Sequence, residues 1–214
     1  MEAKVSYVST NQGKTLSDCS LVFSQRRAKA LELFASKGFA EVGMRELAAF
    51  IGITPGALYH HYPSKQHLLF DFVEEFYEEL IAIFRCTPGE KNLSFRQVID
   101  RHLSLYRDIP WHFKIAMRET VSLLPEQQEF IRELKAEYHV QLKEALGFAD
   151  AQDEETRGAV AAIALLLSAA PTWLSELTAP TDVLRLVTEN ALRGAIEKIV
   201  QSRYPISYEC ALVL

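Results

Sequence analysis

Apolar residues recur along this chain at intervals of three and four, in runs broken by glycine and proline, and do not alternate with polar ones over the length of a strand. That period is the signature of amphipathic helices, and it predicts an all-α protein. A first helix is expected over about Ser24 to Lys37, where Ala28, Leu31, Phe34 and Ala35 fall at helical spacing and Gly38 stands where the helix should end. A short second one covers Met44 to Ile51 and gives way to Gly52-Ile53. A third opens at Thr54, a good N-cap residue, with Pro55 at the first helical position, and Pro63 stops it. Ser64 is placed to cap a fourth, which runs to about Arg85 before the break at Thr87-Pro88-Gly89.

Five more helical patterns follow, over Ser94 to Arg107, Trp111 to Leu124, Glu126 to Leu146, Asp153 to Leu177 and Thr181 to Ser202, punctuated by Pro110, Pro125, Gly147 and Pro180. Pro171 inside the fourth of these predicts a kink, because proline removes a backbone donor and clashes with the preceding turn. The helix from Asp153 carries the small residues Gly158, Ala159, Ala161, Ala162, Ala164 and Ser168 around the Leu165-Leu166-Leu167 cluster, too apolar around its circumference for a surface helix. Leu184, Val187, Ala191, Ala195 and Ile199 line one face of the last helix, the pattern that two helices per subunit need to form a four-helix dimer interface.

Composition refines this picture. With 49% hydrophobic and 24% charged residues among 214, the chain is globular and long enough to bury a substantial core. The three cysteines, Cys19, Cys86 and Cys210, are too scattered for a disulfide framework or metal-ligand spacing, which fits a reducing cytoplasm. The longest apolar stretch, Ala159 to Ala170, is too short to cross a bilayer, so no membrane association is expected. A formal net charge of −5 argues against nucleic acid if read over the whole chain, but between Ser24 and Lys65 six basic residues face three acidic ones, a local +3.

The segment from Arg45 to Tyr59 contains two short helices joined by a tight turn, the arrangement that lets a second helix enter the DNA major groove. Leu47, Ala48, Ile51, Ile53 and Leu58 are expected to form a small core with Ala30, Leu33 and Phe34, with Ala48 and Ala57 keeping the crossing close. Thr54, Pro55, Gly56, Ala57, Tyr59 and His60 are then left facing outward. Short side chains permit close approach to base edges and to the thymine methyl.

Phe34, Gly38, Arg45, Leu47-Ala48, Gly52-Ile53, Gly56-Ala57-Leu58-Tyr59-His60-His61-Tyr62 and Ser64-Lys65 with Leu68-Leu69 resemble the DNA-binding region of the TetR family of transcriptional regulators. The resemblance spans about residues 23 to 70. It implies a leader over 1–22, a three-helix DNA-binding domain over 23–70 linked by the fourth helix to an effector-binding and dimerisation bundle over 71–204, and a tail over 205–214. It also implies that Arg45 contacts a base, that Tyr59 and Lys65 hold phosphates, and that Thr54, His60 and His61 add contacts. Gly43 departs from the pattern, standing where the family has Ser or Thr to cap the second helix.

The remaining residues suggest no chemistry of their own. His60, His61 and His67 lack a carboxylate or thiolate at ligand spacing, so no metal is expected. Neither a nucleophile triad signature nor a glycine-rich phosphate loop is present, so an enzyme and a cofactor are not expected. The resemblance implies a small effector, apolar or amphipathic, in the C-terminal helices. Aromatic density there makes Tyr106, Trp111, Phe113, Met117 and Trp173 candidates for its lining, with His102 and Arg118 as polar anchors. The resulting expectation is a homodimeric, effector-responsive repressor on a near-palindromic operator. An effector-blind regulator whose C-terminal helices bind a protein partner is the alternative.

Overall fold

The computed structural model describes residues 16–85, 93–149, 153–176 and 181–203. They are helical throughout, without a strand among them. The helices are α1 (Leu16–Lys37), α2 (Met44–Ile51), α3 (Pro55–His61), α4 (Lys65–Ala82), α5 (Phe95–Asp108), α6 (Pro110–Glu119), α7 (Pro125–Ala145), α8 (Glu154–Glu176) and α9 (Thr181–Arg203), with a 3-10 turn at Thr120–Ser122 after α6. The chain divides into two compact units between His61 and Tyr62.

In the first unit α1 packs on α2, and α2 on α3. Ala30, Leu33 and Phe34 of α1, Leu47, Ala48 and Ile51 of α2, and Leu58 of α3 are all buried, as their spacing predicts. Phe34 meets Phe39 edge to face with ring centroids 5.2 Å apart, a favoured geometry that carries the core into the α1–α2 connection. Ile53 is only half-buried and Ala57 is exposed, so Ala48 is the small residue at the crossing. α2 ends on Gly52, whose φ of 75° lies in the left-handed region that glycine enters without a Cβ penalty. From there the Ile53 amide donates to the Ala48 carbonyl at 2.9 Å, closing the helix and turning the chain into α3.

Two boundaries differ from the sequence reading. Residues 16–22, assigned to a leader, are helical and extend α1 by about two turns. The boundary between units falls at 61/62 rather than 70/71, because α4 packs along α6 and α7 and belongs to the second unit's core. Phe72, Phe76, Leu80 and, on α6, Phe113 are fully enclosed there, with Phe76 and Phe113 ring centroids 4.8 Å apart. α6 and α7 also contact α8, and α8 pairs with α9. α8 continues through Pro171 to Glu176.

Ends of these helices are held by specific groups. Ser94 and Gln97 form a reciprocal capping box at the start of α5. Arg101 donates to the Ile83 and Arg85 carbonyls at 2.9 and 2.7 Å, satisfying acceptors that the end of α4 leaves over. Arg193 of α9 pairs with Asp100 of α5. Ser64 takes the N-cap position of α4 with extended backbone, but its hydroxyl bonds the His67 ring at 2.9 Å rather than a helix amide.

Candidate nucleic-acid interface

α3 begins at a hydroxyl cap. The Thr54 side-chain oxygen accepts from the Ala57 amide at 3.2 Å, and the Leu58 amide donates to the Thr54 carbonyl at 3.1 Å, so Thr54 and Pro55 start the helix as their residue types dictate. Leu58 anchors it at 2% exposure, while Thr54, Pro55, Gly56, Ala57, Tyr59, His60 and His61 are all exposed. Nothing lies within 4 Å of where a Gly56 Cβ would stand, so the face is open there as well as small. Tyr59 is 51% exposed and its hydroxyl has no hydrogen-bond partner among the described residues, whereas Tyr62 is buried. The two tyrosines therefore part: Tyr59 is available to a partner and Tyr62 packs.

Arg45, at the second position of α2, is exposed and has no ion pair among the described residues. Its acidic neighbour Glu46 is already engaged. The Lys37 hydrogen bond holds the Glu46 carboxyl below its ordinary value, and the Gly43 amide adds to this. Gly43 occupies the N-cap of α2 with extended backbone and no side-chain bond, so the acid at the third helical position takes over part of the missing cap. Lys65 opens α4, in the second unit, and is half-buried. No group of three or more metal-ligating side chains occurs among the described residues.

The residues proposed from sequence for an effector site scatter. His102 and Phe113 are buried in packed core, and Tyr106, half-buried, is set edge-on to Phe113 at 5.6 Å. His102 Nε2 lies 2.8 Å from the Tyr138 hydroxyl. Burial pushes His102 down to about 3 and Tyr138 upward, so both are neutral and share one hydrogen bond. Trp111, Met117 and Arg118 are exposed, Arg118 lying beside Glu119. The Trp173 side chain lies outside the described residues. Aromatic density marked a core there, since rings fill interiors as readily as they line pockets.

Space lies elsewhere in the second unit. A cleft of about 420 Å³ opens between the end of α4 and α5, lined by Glu79, Ile83, Asp100, Arg101, Ser104 and Asp108 among others. Another, of about 340 Å³, lies between α4, the end of α6 and α7, with Tyr77, Met117, Val121, Ile131, Arg132 and Lys135 in its lining. Of the sequence-selected residues only Met117 lines either cleft. Tyr77, Arg132 and Lys135 stood out by no motif or spacing.

Residues 27–72 match the sequence model of the family described as bacterial regulatory proteins, tetR family. Those residues are similar to the N-terminal region of the TetR family. The chain is 35% identical over 66 residues to the HTH-type transcriptional repressor KstR2 of Mycobacterium tuberculosis, a match covering 29% of this chain and 33% of that relative's length. Similarity in fold reaches much further along the chain. A tetR-family regulatory protein from Rhodococcus RHA1 superposes with a TM-score of 0.65 at 23% identity, covering 80% of this chain and 95% of the other. AibR in complex with isovaleryl coenzyme A and operator DNA does so with a TM-score of 0.64 at 20% identity, covering 83% and 97%. The nine helices described above thus have the TetR-family architecture, and none among the described residues is long and apolar enough to cross a membrane.

Proposed function

We propose that this chain is a transcriptional repressor that grips a near-palindromic operator as a homodimer, one α3 per major groove, and releases it when a small effector binds the second unit. The observation that carries the reading is the face of α3: an anchored Leu58 behind, and an exposed surface of Thr54, Pro55, Gly56, Ala57, Tyr59 and His60 in front. Arg45 beside it is a cation without an internal partner among the described residues. An operator complex is what the name of the AibR structure records for a protein of this fold. Dimerisation through α8 and α9 is supported by exposed Leu165 and Leu186, at 67% and 59%, on helices that also bury Val160, Ile163, Leu167, Leu192 and Ile196.

Within this reading the contacts divide into positioning and sequence readout. Tyr59, Lys65 and His61 hold phosphates, whereas Arg45 and the small residues of α3 meet base edges. Tyr59→Phe and Lys65→Ala are therefore expected to weaken all duplexes alike, the lysine change lowering the salt slope by about 0.9 for one phosphate contact. Arg45→Ala is expected to cost about 1–3 kcal/mol on the cognate site and to relax one position in each half-site. Titrations on cognate and random duplexes at several salt concentrations separate the two classes. An Arg45→Ala protein with undiminished discrimination would leave α3 as sole reader.

A further inference from the structure

The cleft between α4, α6 and α7 combines an apolar floor with a surplus of hydrogen-bond donors. Ile131 and Ala116 form the floor at 2% and 3% exposure, and Met117 and Val121 stand uncovered at its rim at 42% and 82%. Most of its polar groups are already committed. The Thr120 hydroxyl donates to the Ala116 carbonyl at 2.6 Å, and the Gln128 side-chain amide to the Leu123 and Val121 carbonyls at 2.8 and 3.2 Å. Arg132 is paired with Glu129.

Two donors remain. Lys135 lines the cleft without an ion-pair partner among the described residues. Tyr77 is only 5% exposed, yet its hydroxyl has no hydrogen bond among them. Every fully enclosed side-chain nitrogen or oxygen among the described residues has a partner, so this hydroxyl is not sealed in the core, and Tyr77 is among the residues that line the cleft. A buried donor left open and an unneutralised ammonium beside an apolar floor suit one kind of guest, a molecule with an apolar body and one anionic acceptor end. A volume of about 340 Å³ restricts that guest to small size.

We propose that this cleft binds a small amphipathic carboxylate, with the apolar body on Ala116, Met117, Val121 and Ile131 and the carboxylate received by Lys135 and the Tyr77 hydroxyl. The inference rests on the effector reading only for its regulatory use; binding itself is a property of the second unit. Calorimetric titration of the full chain with octanoate, octanol and octylammonium, without DNA, tests it. Saturable octanoate binding is expected, with no octylammonium binding and much weaker octanol binding. Lys135→Gln and the near-isosteric Tyr77→Phe should each weaken octanoate by about tenfold, the worth of one charge-assisted hydrogen bond. Absence of octanoate binding, equal affinity for octanol, or wild-type affinity in both variants would overturn the proposal. Any of these would leave the DNA-binding reading intact, and loss of that reading would leave a positive titration standing.

Discussion

Gly56→Glu is expected to abolish operator binding while leaving the fold intact. Gly56 is exposed on the first turn of α3, with open space where a Cβ would stand, so the added side chain meets nothing in the protein. The exchange removes a residue poor in helix propensity, and a carboxylate near a helix N-terminus is favourable, so thermal stability should hold or rise slightly. Against DNA the same carboxylate adds bulk to the closest-approach position and a negative charge facing phosphates. Like-charge juxtaposition of this kind costs several kcal/mol, which corresponds to a loss of at least about 100-fold in affinity. Unchanged circular dichroism and melting with lost binding is the expected pair of results; retained binding would take α3 out of the groove.

Acidification should destabilise the second unit through His102. Its imidazole is buried against Tyr138, and burial lowers it to about 3 from an ordinary value near 6.5. Between those limits the unfolded chain takes up a proton that the folded one refuses. The stabilisation is therefore complete above about pH 6.5 and is lost as pH falls toward 3, by up to about 1.4 kcal/mol per pH unit. From pH 7.5 to 5 this amounts to about 2 kcal/mol. His102→Gln keeps a side chain able to bond the Tyr138 hydroxyl and removes the titration, so its stability should fall much less over the same interval. Denaturant melts of the two proteins at both pH values provide the comparison, which also subtracts His139, whose imidazole is lowered by partial burial and then by Lys135. Parallel slopes would mean that His102 is protonated in the folded state.

The first unit was legible because its residues act locally. Thr54-Pro55, Gly52 and the spacing of Leu47, Ala48, Ile51 and Leu58 each fix a cap, a turn or a buried face within a few positions, and each does so in the structure. The start of α1 was less visible, since Ser17, Asp18 and Ser20 are weak helix formers that obscure a periodic face. The second unit's cleft was not legible at all. Tyr77, Met117, Ile131 and Lys135 come from α4, α6 and α7, separated by tens of residues, and each is an ordinary residue for an amphipathic helix. Aromatic richness, in turn, pointed to His102 and Phe113, which the packing of α5 and α6 places in core, and to Tyr106, half-buried against Phe113. Periodicity tells which side chains turn inward, but not whether the inward space is filled.

On the proposed function, a two-fold pair of α3 helices reads DNA sequence. Selection of binding sites from a random duplex pool by the full chain tests it most directly. Enrichment of an inverted repeat with half-site centres about 34–36 Å apart, one turn of B-DNA or a multiple of it, is expected, and its loss with Gly56→Glu. A pool that stays random with the wild-type chain, or the same repeat recovered by the Gly56→Glu protein, would contradict it.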